Sequence, residues 1–364
     1  MWRSYHVHYY DDDTSGLVLD AIQPFVERIA PHVDAVYHVP HWLRGPHVRI
    51  NVDASPAVTD AVVRPALDDC VGRYLTERPS RAVVDADTML AQHTRLAELE
   101  HEDGAIAPLR PDNSIHEGDY DQRLHVLGGK PAARLLADFY SATTPLAFDM
   151  LAHLRDGGQR VGLAFDLMVA TAHGLSGIGL HRGFVSFRSH AEAFLSWWPE
   201  AEGLRQAWDR HYAVHAGALT ARVRAVTAAV DAGAAGPRFV RPWLDALRPF
   251  GVRGGELISS GALSMNPPWA NRYSDDDEVI TELARKSPFH NRERPAGEEI
   301  DEVWFSQYKL MLNYTYLHLT RVGLSPVERF LLCHLAANAV EEIYGIPATE
   351  VRLPGPSEHV RISE

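Results

Sequence analysis

Cysteine is scarce in this chain, no extended basic tract interrupts it, and no apolar run is long enough to cross a bilayer. The two cysteines, Cys70 and Cys333, stand in helix-like surroundings with no partner spacing. That excludes a disulfide framework and a cysteine zinc site, and makes the cytoplasm the simplest compartment. The opening residues lack a basic region followed by an apolar stretch, so no targeting, anchoring or membrane partner is expected. A formal net charge of −13 argues against a broad nucleic-acid surface, and no nucleic-acid partner is expected. A phosphate-binding Walker loop and a serine-hydrolase nucleophile elbow are both absent. Gly174 to Gly183, GLSGIGLHRG, has the wrong glycine spacing for a dinucleotide loop and no strand before it, and reads as a turn.

What is present suits a substantial core: 364 residues, 46% of them hydrophobic, with a mean hydropathy of −0.20. The chain is organised around Trp42 to Asp53, WLRGPHVRINVD, where a turn carrying Arg44, Gly45 and Pro46 opens into an alternating strand. Val48, Ile50 and Val52 share one face, and His47, Arg49 and Asn51 share the other. The polar row is either the wall of a binding site or the solvated face of a half-exposed strand.

Around it, Trp2 to Tyr10 reads as a strand, Leu17 to Ile29 as a helix, and Val36 to Val39 and His47 to Val52 as two strands, much of a ferredoxin-like half-unit. Ser55-Pro56 starts a helix that runs to about Tyr74, with a capping hydroxyl and a proline at the first helical position. Thr88 to Glu102 is helical in pattern, and Ala105 to Gly129 reads as a long loop. Pro131 to Leu154, Arg160 to His173, His190 to Trp198 and Ala201 to Val230 follow as helices, a helical subregion over 131–250 within one domain spanning 1–364. Gly251 to Asn271 breaks the trend as a strand or extended loop. Asp301 to Thr320 and Pro326 to Tyr344 form a final helical pair, the second opened by the capping-box sequence Ser325-Pro326-Val327-Glu328. The fold class expected is α+β, with ferredoxin-like antiparallel sheet elements and a large helical portion.

Twenty histidines raise the question of a metal. His211 with His215 would share a helix face and His6 with His8 a strand face, but neither pair has the adjoining carboxylate or cysteine pattern of a zinc site, so no metal is expected. Ser186, Arg188, Ser189 and His190 crowd a segment that reads as a strand-to-helix transition. There Ser189 suits a helix cap with Glu192 three residues on, whereas Arg188 and His190 are free to reach a pocket. Lys286 to Asn291 sets the Ser287 hydroxyl beside the His290 imidazole, in a site or in a solvated turn. On the Trp304 to Arg321 helix, Tyr308, Asn313, Tyr316 and Arg321 add polar groups to an apolar run; Tyr316 either donates a proton or buries its ring with the hydroxyl satisfied.

Three segments together resemble the thiopeptide-type biosynthesis family, which shares its fold with the glutamate-elimination domain of lantibiotic dehydratases: WRSYHVHYY, WLRGPHVRINV and SQYKLMLNYTYLHLTRVGLSPVERFLLCHLAANAVEE. The resemblance implies one of two activities. One is loss of glutamate from glutamylated serine or threonine; the other is the formal aza-cycloaddition of two dehydroalanines that builds the pyridine of thiopeptide macrocycles. The elimination branch looks like HLRLR, whereas this chain has His47-Val48-Arg49-Ile50-Asn51, keeping the first arginine and replacing the second. A departing carboxylate is most naturally held by arginine, so the departure favours the pyridine synthases, which the closing NYTYLHLTRVGLSP also resembles. A chain of this length leaves no room for a glutamylation domain, so the expected substrate is a leader-bearing precursor peptide modified by other biosynthetic enzymes. No cofactor is expected. Local residue chemistry assigns Ser287, His290 and Tyr316, with His190 as another candidate, to proton transfer or hydrogen bonding at the reacting amide, and Arg188 and Asn313 to peptide binding; Trp42, Arg44, His47 and Arg49 are assigned to holding the peptide, a placement that also rests on the matched WLRGPHVRINV motif. The other readings are the eliminating half of a split dehydratase and a non-catalytic escort of the precursor. Oligomeric state is not fixed by the sequence.

Overall fold

Alternation of polar and apolar residues produces the strands β1 (Trp2–His8), β2 (Ala35–His41) and β3 (His47–Asp53), and a fourth strand, β4 (Ser114–Asp119), forms without it. They form one antiparallel sheet in the order β2-β3-β1-β4. The computed structural model describes residues 1–100, 102, 104–198, 200–265, 287, 289–291, 299–358 and 360, with backbone only at 99, 100 and 197. With helix α1 (residues 15–29) between β1 and β2, and α2 (56–77) and α3 (Ala86–Glu100) between β3 and β4, the full ferredoxin-like order is present. The half-unit read from the sequence is therefore completed by β4, inside the stretch expected to be a loop. SIHEGD has little apolar content and pairs only with β1 at the sheet edge, so neither hydrophobicity nor length betrays it.

Residues 1–126, 136–158 and 321–323 make up the first of two compact units. One sheet face buries Tyr5, Val7, Val48, Ile50 and Val52, and α2 lies on that side, where Arg64 forks onto Glu117. Ser55 caps α2 through the Val58 N–H at 3.3 Å, as its sequence predicts. Both α1 and α2 contain π-helical turns, at Val18–Ile22, Thr59–Val63 and Asp68–Gly72.

The second unit holds residues 127–135, 159–320 and 324–364. Helix α4 (Lys130–Arg155) contributes its first residues here, and α5 (Arg160–Gly174) is the centre, buried continuously from Leu163 to Ala172. A helix apolar on all sides must be surrounded. Helix α6 (Val185–Trp197) follows, and α7 (Ala201–Asp231), α8 (Val240–Ser259) and α10 (Pro326–Tyr344) pack against α5. Helix α9 (Glu302–Arg321) anchors its buried polar groups: Trp304 donates to the Ser176 carbonyl at 2.8 Å, and Tyr308 to that of Gly183 at 2.8 Å. The capping box of α10 is present, with Ser325 and Glu328 exchanging both hydrogen bonds.

Two sequence expectations fail in this unit. Gly251 to Ser259 is helical, being the last part of α8, whereas residues 266–271 of that stretch lie outside the described residues. Glycine is a poor helix former, but a Cβ at Gly251, Gly254 or Gly255 would collide with Met311, Leu310 or Gln307 of α9, so close helix packing overrides propensity. Helix α6 begins at Val185, which places Ser189 in mid-helix; it is not a cap, and no strand precedes the helix.

Candidate active site

The residues singled out from sequence fall into two groups, one in each unit. In the first unit the polar face of β3 meets that of β1 in register, His47 opposite His8 and Arg49 opposite His6. The turn that delivers them is closed by the Gly45 N–H donating to the Trp42 carbonyl at 3.0 Å, with Arg44 at φ 63° and Gly45 at φ 113°. Arg44 is held in this conformation by its Nε on the Pro108 carbonyl (3.0 Å) and by the Arg110 N–H on its own carbonyl (2.8 Å).

His47 is 3% exposed and its tautomer is fixed. Nδ1–H donates to the Gly45 carbonyl at 2.8 Å, leaving Nε2 to accept from Arg49 Nε at 3.2 Å. His6, His8 and His41 gather around it, with ring centroids 4.9, 4.7 and 5.3 Å away. His116 meets His8 edge-on at 5.4 Å. Burial is the main cause holding these rings neutral, followed by neighbouring rings and arginines; together they bring His6 down to about 4 and His8 to about 3. The same burial lowers Arg49, partly offset by Asp121 and Glu102. Among the described residues, neither Arg44, Arg49 nor Arg110 forms an ion pair with a carboxylate. The Trp42 indole N–H and His41 Nε2 are buried without hydrogen-bond partners among the described residues. The other end of the face is aromatic, with Trp2 stacked on Tyr120 at 4.6 Å and Tyr37 on Tyr140 at 5.1 Å. Arg321, 4% exposed, bonds Thr143 (2.9 Å) and Thr144 (2.6 Å) beside Tyr140.

The histidine cluster makes stability depend on pH. In the unfolded chain each ring takes a proton near pH 6.5, whereas the folded rings refuse it until well below that. Stability contributed by the neutral rings is fully present above about 6.5 and falls as pH drops toward the folded values, by about 1.4 kcal/mol per pH unit for each excluded proton. Urea unfolding at pH 7.5, 6.5 and 5.5 should show a steadily falling midpoint; a constant midpoint would contradict the neutral cluster.

In the second unit the structure brings Ser287, His290, Tyr316, His190 and Arg188 to the surroundings of α6. Tyr316 Oη lies 2.9 Å from His190 Nδ1 and 3.5 Å from Cys333 Sγ. Burial, reinforced by Cys333, raises the Tyr316 phenol well above its usual value. Burial likewise raises the Cys333 thiol to about 11 and lowers His190 to about 4, the latter helped by Arg329, Lys309 and His290. All three groups are therefore neutral near pH 7, a line of hydrogen-bonding groups without fixed charge. The Arg329 guanidinium stacks 5.2 Å over the Tyr316 ring, and its Nε is buried without a hydrogen-bond partner among the described residues. Ser287, 1% exposed, places Oγ 2.8 Å from His290 Nδ1, and Ser189 Oγ lies 3.0 Å from His290 Nε2. Asn313 is half-buried on α9, and its carboxamide has no hydrogen-bond partner among the described residues.

Arg188 lines a cavity of about 900 Å³ with Glu192, Leu195, Trp198, Arg205 and Phe289 among its walls. Its guanidinium forks onto Glu341 (Nε 3.3 Å, Nη2 2.7 Å) and also reaches Asn338. Glu192 is held in turn by Arg205 at 2.8 and 2.6 Å. Burial works to raise the Glu192 carboxyl, but the Arg205 fork and the Arg188 charge outweigh it and hold it below the usual range. Both arginines of the cavity are thus paired with carboxylates. Sequence reading took Ser189 for a helix cap and gave no site role to Cys333 or Arg329, whose one local signal is that they lie four residues apart on α10 and so on one helix face. The rings of His211 and His215 do share a helix face, 4.6 Å apart, but among the described residues no group of three or more histidine, cysteine, aspartate or glutamate side chains is arranged to hold a metal ion. No described helix is long and apolar enough to cross a membrane.

The family model described as lantibiotic biosynthesis dehydratase C-term matches residues 2–340. No curated protein matches the chain. Among solved structures, the pyridine synthase TbtD from thiomuracin biosynthesis is similar at 38% identity and a TM-score of 0.78, over 94% of this chain and 99% of that one. TsrL shares the fold, at 21% identity and a TM-score of 0.68 over 100% and 99% of the two chains.

Proposed function

The chain belongs to the lantibiotic biosynthesis dehydratase C-terminal family, and from that premise we propose that it is a thiopeptide pyridine synthase, joining two dehydroalanines of a modified precursor peptide by formal aza-cycloaddition, with loss of water and of the leader peptide. The observation that carries this reading is the similarity to TbtD over nearly the whole of both chains. The chemistry of the second unit accords with it. Diene and dienophile both belong to the peptide, so the reading requires no cofactor, and the enzyme has to bring the peptide ends together and move protons during amide tautomerisation and water loss. Neutral hydroxyl, imidazole and phenol groups suit that work, and Ser287, His290, His190 and Tyr316 are assigned to the reacting amide. Arg188 and Asn313 are assigned to the peptide beside them.

On the first unit, Trp42, Arg44, His47 and Arg49 are assigned to holding the precursor. Arg49 offers unpaired N–H donors on a rigid strand, and a half-buried guanidinium without a carboxylate favours a partner rich in oxygen acceptors. Asn51, where the elimination branch has arginine, is 4% exposed on the same face and supplies no second guanidinium. On this reading the activity acts in the cytoplasm, on a peptide prepared by other enzymes.

The test is mass spectrometry of a leader-bearing, azole-containing peptide with two dehydroalanines after incubation with the protein alone. The expected result is release of the leader and loss of water with a new pyridine chromophore. An unchanged peptide overturns the proposal; glutamate loss from a glutamylated peptide would then establish elimination, and binding without turnover of either would establish an escort.

A further inference from the structure

His290 is held between two hydroxyls that arrive from distant parts of the chain. Ser287 Oγ, besides its 2.8 Å contact with Nδ1, receives the His290 backbone N–H at 3.4 Å. A serine hydroxyl has one hydrogen, and one that already accepts the backbone N–H is disposed to direct its own hydrogen at Nδ1. The proton of the neutral ring then sits on Nε2, which donates to Ser189 Oγ at 3.0 Å. Ser189 has no capping duty in mid-helix, where serine is an indifferent choice. Ser287 is shut away at 1% exposure, whereas Ser189 is half-buried next to Arg188, which lines the cavity.

We propose that Ser189 is a positioning residue that fixes the Nε2–H tautomer of His290 and so keeps the Nδ1 lone pair on the Ser287 hydroxyl. The inference rests on the pyridine-synthase reading for its chemistry. In that chemistry the substrate, on binding, reaches the Ser287 hydroxyl that the resting protein keeps 1% exposed, and its amide N–H proton passes to Ser287 Oγ as the Ser287 proton passes to His290 Nδ1. One N–H and one O–H bond break, one O–H and one N–H bond form, and the amidate charge is matched by the imidazolium. Return of the proton through Ser287 to the amide oxygen completes the tautomerisation and regenerates the neutral ring. Ser189 accepts from Nε2–H throughout, in the place that a carboxylate or carboxamide takes in nucleophile–base–orienter triads.

Ser189→Ala, Ser189→Thr and wild type are compared by steady-state turnover of the bis-dehydroalanine peptide and by the 15N resonances of His290 in the resting protein. The expected result is a fall in kcat of about 10-fold in Ser189→Ala with KM unchanged, a shift of the ring from the Nε2–H form toward a mixture of tautomers, and recovery of both in Ser189→Thr. Unchanged kcat with an unchanged tautomer overturns the role of Ser189 while leaving the pyridine-synthase reading standing. If wild type does not turn the peptide over, that reading fails by itself, and the nitrogen resonances still decide whether Ser189 sets the tautomer.

Discussion

His290→Ala is expected to lower turnover of the bis-dehydroalanine peptide by at least about 100-fold, the loss typical of removing a positioned general base. The substitution deprives Ser287 Oγ of its acceptor at 2.8 Å and leaves a 1% exposed hydroxyl with no route for its proton through the imidazole. Tyr316→Phe gives the useful contrast. It removes one hydrogen bond to His190 Nδ1 and the contact with Cys333, and is expected to cost about 10-fold. Leader release followed by mass spectrometry reads both, with circular dichroism as the check on folding. Wild-type turnover in His290→Ala would remove the imidazole from the mechanism.

Gly45→Ala is expected to destabilise the first unit by on the order of 3 kcal/mol and to weaken peptide binding with it. At φ 113° any L side chain is strained, and the added Cβ would run into the Tyr10 ring and hydroxyl. Tyr10 cannot withdraw freely, because its hydroxyl donates to the Arg110 carbonyl and its backbone N–H to Asp112 at 3.0 Å. The Gly45 carbonyl also fixes the His47 tautomer, so a displaced turn disturbs the whole polar row. Urea unfolding and binding of a fluorescent precursor peptide test this; a variant matching wild type in both would show that the turn does not control the strand.

The contrast between these two residues shows what a linear sequence can reveal. Gly45 stands three residues from Trp42 and next to an alternating strand, and the direction of His47 and Arg49 follows from a period of two. The caps at Ser55 and Ser325 are equally local, each complete within four residues of sequence. The partnership of Ser189 with His290 spans 101 positions, that of His190 with Tyr316 126, and nothing in the periodicity of either segment points to the other. Strand β4 and the glycines of α8 were hidden for a related reason. Each owes its conformation to a neighbour, β1 in one case and α9 in the other, and local propensity argues against it. The imidazole cluster was half legible: β1 announces that His6 and His8 share a face, but only strand pairing brings His47 and His116 onto it.

The π-helical turns of α1 and α2 resolve a phase problem written into their sequences. Buried residues recur every fourth position, Leu17, Ala21, Phe25 and Ile29 in the first helix and Thr59, Val63, Leu67, Val71 and Leu75 in the second. On a helix of 3.6 residues per turn such a series drifts by roughly 40° at every step, so Leu75 would end roughly 160° around the cylinder from Thr59. Wider turns, bonded from each residue to the fifth along, take up the surplus angle. Both apolar seams consequently run straight along their helices, the backbone winding having been fitted to a four-residue rhythm.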